Sequence, residues 1–323
     1  MKEGSIVVDA DKGLYMGYID SGPPPSRSSS YQTIIAVHGI VFGHRIFERC
    51  IAAAPAHGVR FVALSRRGFP GSSPLALSEL QKGDALHTLG KEICTFVDVF
   101  TTQGNIRANV TLFGWSFGVS FVLAAVHAVL PAYVSPPCIG MPDTQASFWD
   151  AKAVPQEDMM QLQIQWTTAY FEHPAFKSDS GSDSHLHKDD SKTHGDPASL
   201  NWVVPTIKYA PSIFNGMRVG THVHFDTLMS DFACLRGFKN QFHQNLVTLC
   251  PKGVVNAEGS SIRVRWIAGT MSCATCVAGM WNVQDQCRTC KDEDKDKFQW
   301  LEGNHFVHWD EPDRMMFVLF QVV

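Results

Sequence analysis

The chain has 323 residues, 45% of them hydrophobic and 18% charged, which is enough apolar material for a substantial core and too much for a disordered polypeptide. The formal net charge is −4 and no long Lys/Arg block occurs, arguing against nucleic acid or an anionic membrane surface as the main partner. The length fits one large domain with a sizeable insertion, or two domains.

The first residues, MKEGSIVVDADKGLYMGY, place acids and glycines where a signal peptide needs an apolar core. Ser5–Asp9 and Leu14–Ile19 read as two strands of a hairpin around an Asp-Lys-Gly turn. Beyond a Pro/Ser loop, Thr33–Val37 is an apolar strand ending at His38-Gly39, residues 44–57 have helical spacing, and Arg60–Leu64 is a further strand. Asp84–Thr101 repeats apolar residues at helical intervals, Val110–Phe113 is a strand, and a helix runs from Gly118 to Val129. Apolar strands alternating with helices predict a mostly parallel sheet covered on both faces, an α/β architecture.

The longest apolar stretch, Phe121–Val134, is broken by His127 and Pro131 and is too short for a membrane span. With nine cysteines and no secretory signal, reduced thiols in a cytoplasmic protein are expected. From 141 to 234 the alternation lapses: one amphipathic helix, Gln156–Phe171, stands among Pro-punctuated aromatic pieces and a polar run at 178–197. His185, His187 and His194 cluster in that run, but its composition favours a solvated loop over a metal site. The alternation then resumes as a helix at 235–249, strand Ile262–Ile267, a helix at 276–290, strand Phe298–Leu301 and a helix from Pro312. The expected organisation is a core of residues 1–140 and 235–323 with a lid insertion at 141–234.

Gly114-Trp-Ser-Phe-Gly118 lies between a predicted strand and a predicted helix. In that context G-x-S-x-G is a nucleophile elbow that raises the Ser116 hydroxyl above the sheet and turns the Phe117 amide toward an oxyanion. His38-Gly39-Ile40 at a strand end would supply a second oxyanion amide from Ile40, with His38 shaping the loop. A loop histidine after the last strand is where a serine-first triad keeps its base. His305 is the better candidate, with His308 one helical turn further on.

The stretches AVHGI (36–40), LSRRGFPGSSP (64–74), LFGWSFGVS (112–120) and EGNHFVHWDEP (302–312) together resemble the α/β-hydrolase superfamily, in its lid-bearing serine esterase-like and epoxide-hydrolase-like branch. The Gly-Asn-His-Phe-x-His-Trp ending is similar to that of α/β-fold hydrolases common in fungi. The resemblance implies the α/β-hydrolase fold, attack by Ser116, proton transfer by His305, an oxyanion hole from Ile40 and Phe117, and a substrate cavity beneath a helical lid. Epoxide and haloalkane hydrolases of this fold use an aspartate nucleophile, so serine at 116 points to acyl chemistry.

The family's acid position is empty. The loop after the seventh strand reads Gly269-Thr-Met-Ser272, and the other usual location, Tyr133–Pro137, also lacks a carboxylate. Three arrangements fit: an aspartate reaching in from elsewhere, Asp226 first and Asp231 second; a Ser–His dyad with Ser272 or water orienting His305; or loss of catalysis. Cys273-x-x-Cys276 and Cys287-x-x-Cys290 match a four-cysteine zinc set by count. An intervening helix would hold the pairs about 15 Å apart, so free cysteines are favoured, with structural zinc and a redox pair or local disulfide as the alternatives.

The expected function is therefore a serine hydrolase of small to medium apolar esters, resembling a carboxylesterase, with no cofactor or metal and a small-molecule partner. The alternatives are a catalytically silent binding protein on the same fold, or a hydrolase of an amide, lactone or C–C bond. The aromatics Phe148, Trp149, Trp166, Tyr170, Phe171 and Trp202 could line the cavity or pack a core.

Overall fold

The computed structural model describes residues 1–25, 31–104, 106, 110–129, 161, 164–176, 199–201, 211–231, 233–234, 238, 241, 245, 263–289 and 298–320. The elements in order are strands β1 (Lys2–Asp9), β2 (Leu14–Asp20), β3 (Gln32–Val37), β4 (Val59–Leu64) and β5 (Val110–Gly114), then β6 (Trp266–Gly269) and β7 (Phe298–Leu301). Helices α1 (Glu48–Ala53), α2 (Leu77–Leu80), α3 (Ala85–Gln103), α4 (Gly118–Val129), α5 (Ala274–Thr289), α6 (Val307–Asp310) and α7 (Pro312–Phe320) alternate with them.

Five strands form one sheet in the order β1-β2-β4-β3-β5. The β1/β2 hairpin and the β2/β4 pair are antiparallel, while β3/β4 and β3/β5 are parallel. The sheet is thus mixed where the sequence suggested mostly parallel: a hairpin needs only a tight turn, and here it adds an antiparallel edge to the parallel core. Strands β6 and β7 pair in parallel as a separate ladder, whose Trp266 and Phe298 pack with Leu123 of α4 and Val283 and Cys287 of α5.

The central strands show why the core forms. On β3, Ile34 and Ala36 point into one cluster and Ile35 and Val37 into the other, and β4 divides Phe61 and Ala63 from Val62 and Leu64 in the same way. Period-two alternation with every residue buried means that both faces are covered. One cover is α3 with α4, through Leu86, Ile93, Phe96 and Phe121. The other is built from Ile46, Phe47, Ile51 and the α7 residues Met316 and Leu319. Each such Leu, Ile or Phe contributes about 1.5–3 kcal/mol on full burial. Among the described residues, no helix is long and apolar enough to cross a membrane.

Several predicted boundaries move for local reasons. The helix expected over 44–57 is a 3₁₀ turn, α1 and a second 3₁₀ turn containing Pro55, ending at left-handed Gly58. Strand β6 begins at Trp266 rather than residue 262, because its ladder starts at the Trp266–Phe298 pair. The helix expected to reach Phe171 is helical over 164–167 and then turns, so that Phe171 N donates to Met271 O at 2.9 Å. The helix expected from 235 is already helical over 228–231. The loop at 178–197, Cys290 and the aromatics Phe148, Trp149 and Trp202 lie outside the described residues.

Candidate active site

Strand β5 ends at Gly114 and α4 begins at Gly118, leaving three residues for a sharp turn. Ser116 sits at that turn with φ +56, a left-handed conformation that costs a non-glycine residue about 1–2 kcal/mol. The turn is crowded, which explains its glycines: a Cβ on Gly118 would lie 2.2 Å from Val37 O. Trp115 N donates to Val37 O at 3.0 Å, locking the turn to β3, while the Gly118, Val119 and Ser120 amides close the first turn of α4 on Trp115, Ser116 and Phe117 carbonyls. The Phe117 amide takes no part in those bonds, as expected for the first amide of a helix.

His38-Gly39-Ile40 follows β3 and passes directly over Ser116. A Cβ on Gly39 would stand 2.8 Å from Ser116 Cβ, so only glycine permits this approach. His38 accepts from Arg66 N on Nε2 at 3.0 Å, and its Nδ1 lies 3.1 Å from Gly39 O. Nδ1 therefore carries the proton and donates it to Gly39 O. Burial, with the Arg66 charge adding to it, holds the His38 pKa well below the usual imidazole value. It is a neutral structural residue, in the loop-shaping role that the sequence suggested.

Val41, next in the loop, has φ +63, an outlier for a β-branched residue. Two bonds hold it: Val41 N donates to Asp231 Oδ2 at 2.8 Å, and His224 N donates to Val41 O at 2.7 Å. Asp231 also pairs with Arg66 at 2.9 Å, and the same guanidinium nitrogen donates to Gly39 O at 2.7 Å. Both side chains are buried, at 3% and 2% exposure. Arg66 and Asp231 thus form a brace under the loop, and Asp231, the second candidate for the triad acid, is committed to it.

His305 follows β7 and lines the same cavity as Ser116, together with Ile40, Val41, Phe42, Trp115, Ile164 and Leu228. Its loop is held by Trp115 Nε1, which donates to His305 O at 2.9 Å, and by the Trp115 ring 5.1 Å from the imidazole. Asn304 fixes the preceding residue: its Oδ1 accepts from Phe306 N at 2.8 Å, and its Nδ2 donates to Thr168 O and Ser212 Oγ. Tyr170, Ser212 and Asn215 then converge on the Asp310 carboxylate, tying the segments around residues 170 and 212–215 to the histidine loop. His308 is buried between the Trp115 and Phe47 rings and packs, as expected.

The alpha/beta hydrolase family model matches residues 34–316, a span that includes the elbow, the His38 loop and the His305 loop. The chain belongs to the alpha/beta hydrolase family. Solved structures similar to it include a bromoperoxidase from Bacillus anthracis, at 13% identity over 99% of both chains with a TM-score of 0.53. A putative aryl esterase from Burkholderia cenocepacia is similar at 12% identity over 99% of this chain and 97% of that one, TM-score 0.51. A bacterial membrane phospholipase A described as a virulence factor is similar at 14% identity over 99% and 85%, TM-score 0.55. At these identities the structures share the fold. No curated protein sequence matches.

For an alpha/beta hydrolase, the site departs from expectation at the acid. Asp226 is exposed on a 3₁₀ turn, where its charge acts on His224. Among the described residues no hydrogen bond joins Asp226 to His305, so the geometry does not bring the first-choice acid to the base. His305 Nε2 is buried without a partner, and desolvation alone lowers the His305 pKa to about 4. Ser272 occupies the acid position, 1% exposed, with its hydroxyl oxygen also unpartnered. Its loop is nevertheless clasped to the histidine segment, with Thr270 N on Leu301 O and Met271 N on Gly303 O, both at 2.8 Å.

The cysteines separate as the helix argument required. Helix α5 runs from Ala274 to Thr289, with Cys273 and Cys276 packed among Trp166, Ala169 and Phe171 at one end and Cys287 in a different cluster. Eleven residues of helix place Cys276 and Cys287 about 16 Å apart, too far for one tetrahedral metal with bonds of about 2.3 Å.

Proposed function

We propose that this hydrolase is a serine hydrolase, resembling a carboxylesterase, that cleaves a small to medium apolar ester through an acyl-enzyme on Ser116. The observation that carries the reading is the strained, left-handed Ser116 at the floor of a largely apolar cavity that it shares with His305. An apolar acyl group would pack against Ile40, Phe42, Ile164 and Leu228, leaving its carbonyl over the serine.

His305 would take the Ser116 proton as the hydroxyl oxygen attacks the carbonyl carbon. Its lowered pKa keeps the imidazole neutral at pH 7 and able to accept. The Ile40 and Phe117 amides would stabilise the tetrahedral oxyanion, worth about 3–4 kcal/mol per donor in comparable sites. His305 would return its proton to the leaving alcohol, and water would then hydrolyse the acyl-enzyme by the same route. The base works here as half of a Ser–His dyad.

The test is labelling with a fluorophosphonate, followed by hydrolysis of p-nitrophenyl esters of increasing acyl length. The wild type should label and turn over, and Ser116→Ala should do neither while keeping its fold by circular dichroism. Folded wild type that does not label would overturn the enzyme reading. That result would favour a binding protein on the same fold, the second reading that the unpartnered His305 supports.

A further inference from the structure

Cys273 and Cys276 are the feature of the chain that the hydrolytic site leaves unused. Cys273 stands immediately before α5, and its carbonyl accepts from Cys276 N at 2.9 Å and Val277 N at 3.3 Å, so the pair straddles the first turn. The two Sγ atoms lie 3.3 Å apart, and Thr275 Oγ1 lies 3.3 Å from Cys273 Sγ. A disulfide bond is about 2.05 Å long, so closing it requires the sulfurs to approach by about 1.3 Å, within the reach of small χ rotations.

Their electrostatics differ from those of Cys94 and Cys234. Burial pushes Cys94 up to about 11 and Cys234 to about 12, keeping both protonated and inert. In the pair, a hydrogen bond from the Cys276 thiol lowers the pKa of Cys273, and the same bond opposes loss of the second proton. One thiolate shared by two sulfurs is the reactive state of a dithiol. Cys273 is 2% exposed and Cys276 is partly buried, so the pair sits at the edge of the packed core.

We propose that Cys273 and Cys276 form a reversible dithiol–disulfide couple, a redox site separate from Ser116, whose reaction partner is a low-molecular-weight disulfide. The sulfur of the pair that holds the shared thiolate attacks one sulfur of the reagent, forming a mixed disulfide and releasing the first small thiol. The other protein sulfur then gives up its proton, attacks the protein sulfur of that mixed disulfide and releases the second. The two protein thiols lose two protons and two electrons, and the reagent takes them up as two thiols. The couple lies one residue from Ser272, whose carbonyl accepts from His173 at 2.7 Å, in the loop clasped to the His305 segment.

The experiment equilibrates the full chain in buffers of reduced and oxidised glutathione, quenches with acid, unfolds, alkylates and digests with trypsin. The peptide Trp266–Arg288 holds three cysteines, Cys273, Cys276 and Cys287. In reducing buffer it should carry three labels. In oxidising buffer Cys273 and Cys276 should carry no label and be joined, with loss of two hydrogens between them. Cys276→Ser should leave Cys273 out of any internal disulfide in every buffer, and Cys273→Ser serves as the second variant should that one misfold. Ser116→Ala should oxidise as the wild type does, so failure of the hydrolase reading leaves this result standing. Three labels in every buffer, or glutathione adducts without internal disulfide, would overturn the proposal.

Discussion

Replacing Asp231 separates two roles that a buried aspartate near this site could have. In Asp231→Ala, Arg66 at 3% exposure loses its counter-charge, and the Val41 amide loses its acceptor. Removing one partner of a buried ion pair costs about 3–5 kcal/mol, because the remaining charge stays buried. Against the total stability of about 5–15 kcal/mol typical of a domain, that should shift the urea midpoint clearly downward. Asp231→Asn keeps an oxygen for Val41 N but not the charge and should fall between the two. Arg66→Met added to Asp231→Ala should recover most of the loss, since the orphaned charge is then gone. A triad acid behaves differently: its amide variant leaves stability nearly unchanged and lowers kcat by about 10⁴-fold. Urea unfolding and ester hydrolysis on the same preparations decide the matter. An unchanged midpoint with a collapsed kcat in Asp231→Asn would refute the brace.

Further outcomes follow from other parts of the site. With the His305 pKa at about 4, kcat/KM should hold from pH 7 down toward pH 5 and fall only near pH 4, rather than near the ordinary histidine value of about 6.5. The stability linkage has the matching sign. A histidine with a depressed folded pKa contributes fully above about 6.5 and loses that contribution as pH falls toward 4, so His305→Gln should lessen the fall of urea midpoints in this window, the rest coming from His38, His44 and His308. Asp226→Asn, on the exposed 3₁₀ turn, should leave kcat/KM within about twofold and stability within about 0.5 kcal/mol. Gly39→Ala should push its Cβ against Ser116, displace the oxyanion amides and lower kcat by about 10²-fold, read out by stopped-assay ester hydrolysis.

The parts of this site that were legible in the sequence are those whose determinants are local. Strands β3, β4 and β5 announce themselves as short apolar runs, and the elbow needs only Gly114, Ser116 and Gly118 between a strand and a helix. The missed partners are distant in the chain. Arg66 and Asp231 are 165 residues apart, and nothing in the periodicity of either segment joins them. One signal was available: two adjacent arginines, Arg66 and Arg67, in a loop between apolar elements must each find a carboxylate if buried. Arg67 does so with Glu79 and Glu92. Asn304 is a short polar residue before His305, but its partners Thr168 and Ser212 are 136 and 92 residues away, and no local pattern joins them to it.

The empty acid position changes the expected chemistry in a definite direction. In the proposed mechanism His305 becomes an imidazolium during attack, and no described carboxylate stands beside it to stabilise that charge. Desolvation already opposes protonation, since it sets the pKa at about 4, so the same burial that keeps the base neutral also makes it weak. Loss of the acid costs about 10⁴ in kcat where the triad has been dissected, about 5.5 kcal/mol, leaving the oxyanion hole and binding to supply about 10³–10⁴ over water. The loop proposed to carry the Ile40 oxyanion amide is held by the bond from Val41 N to Asp231 and by the buried Arg66–Asp231 pair, and it passes close over Ser116 at Gly39. A protein built this way should react readily with a phosphonate that needs no leaving-group protonation, yet turn over esters slowly. Esters with good leaving groups should outpace alkyl esters by more than they do in a hydrolase with a complete triad, because His305 is least able to assist when a poor leaving group must be protonated.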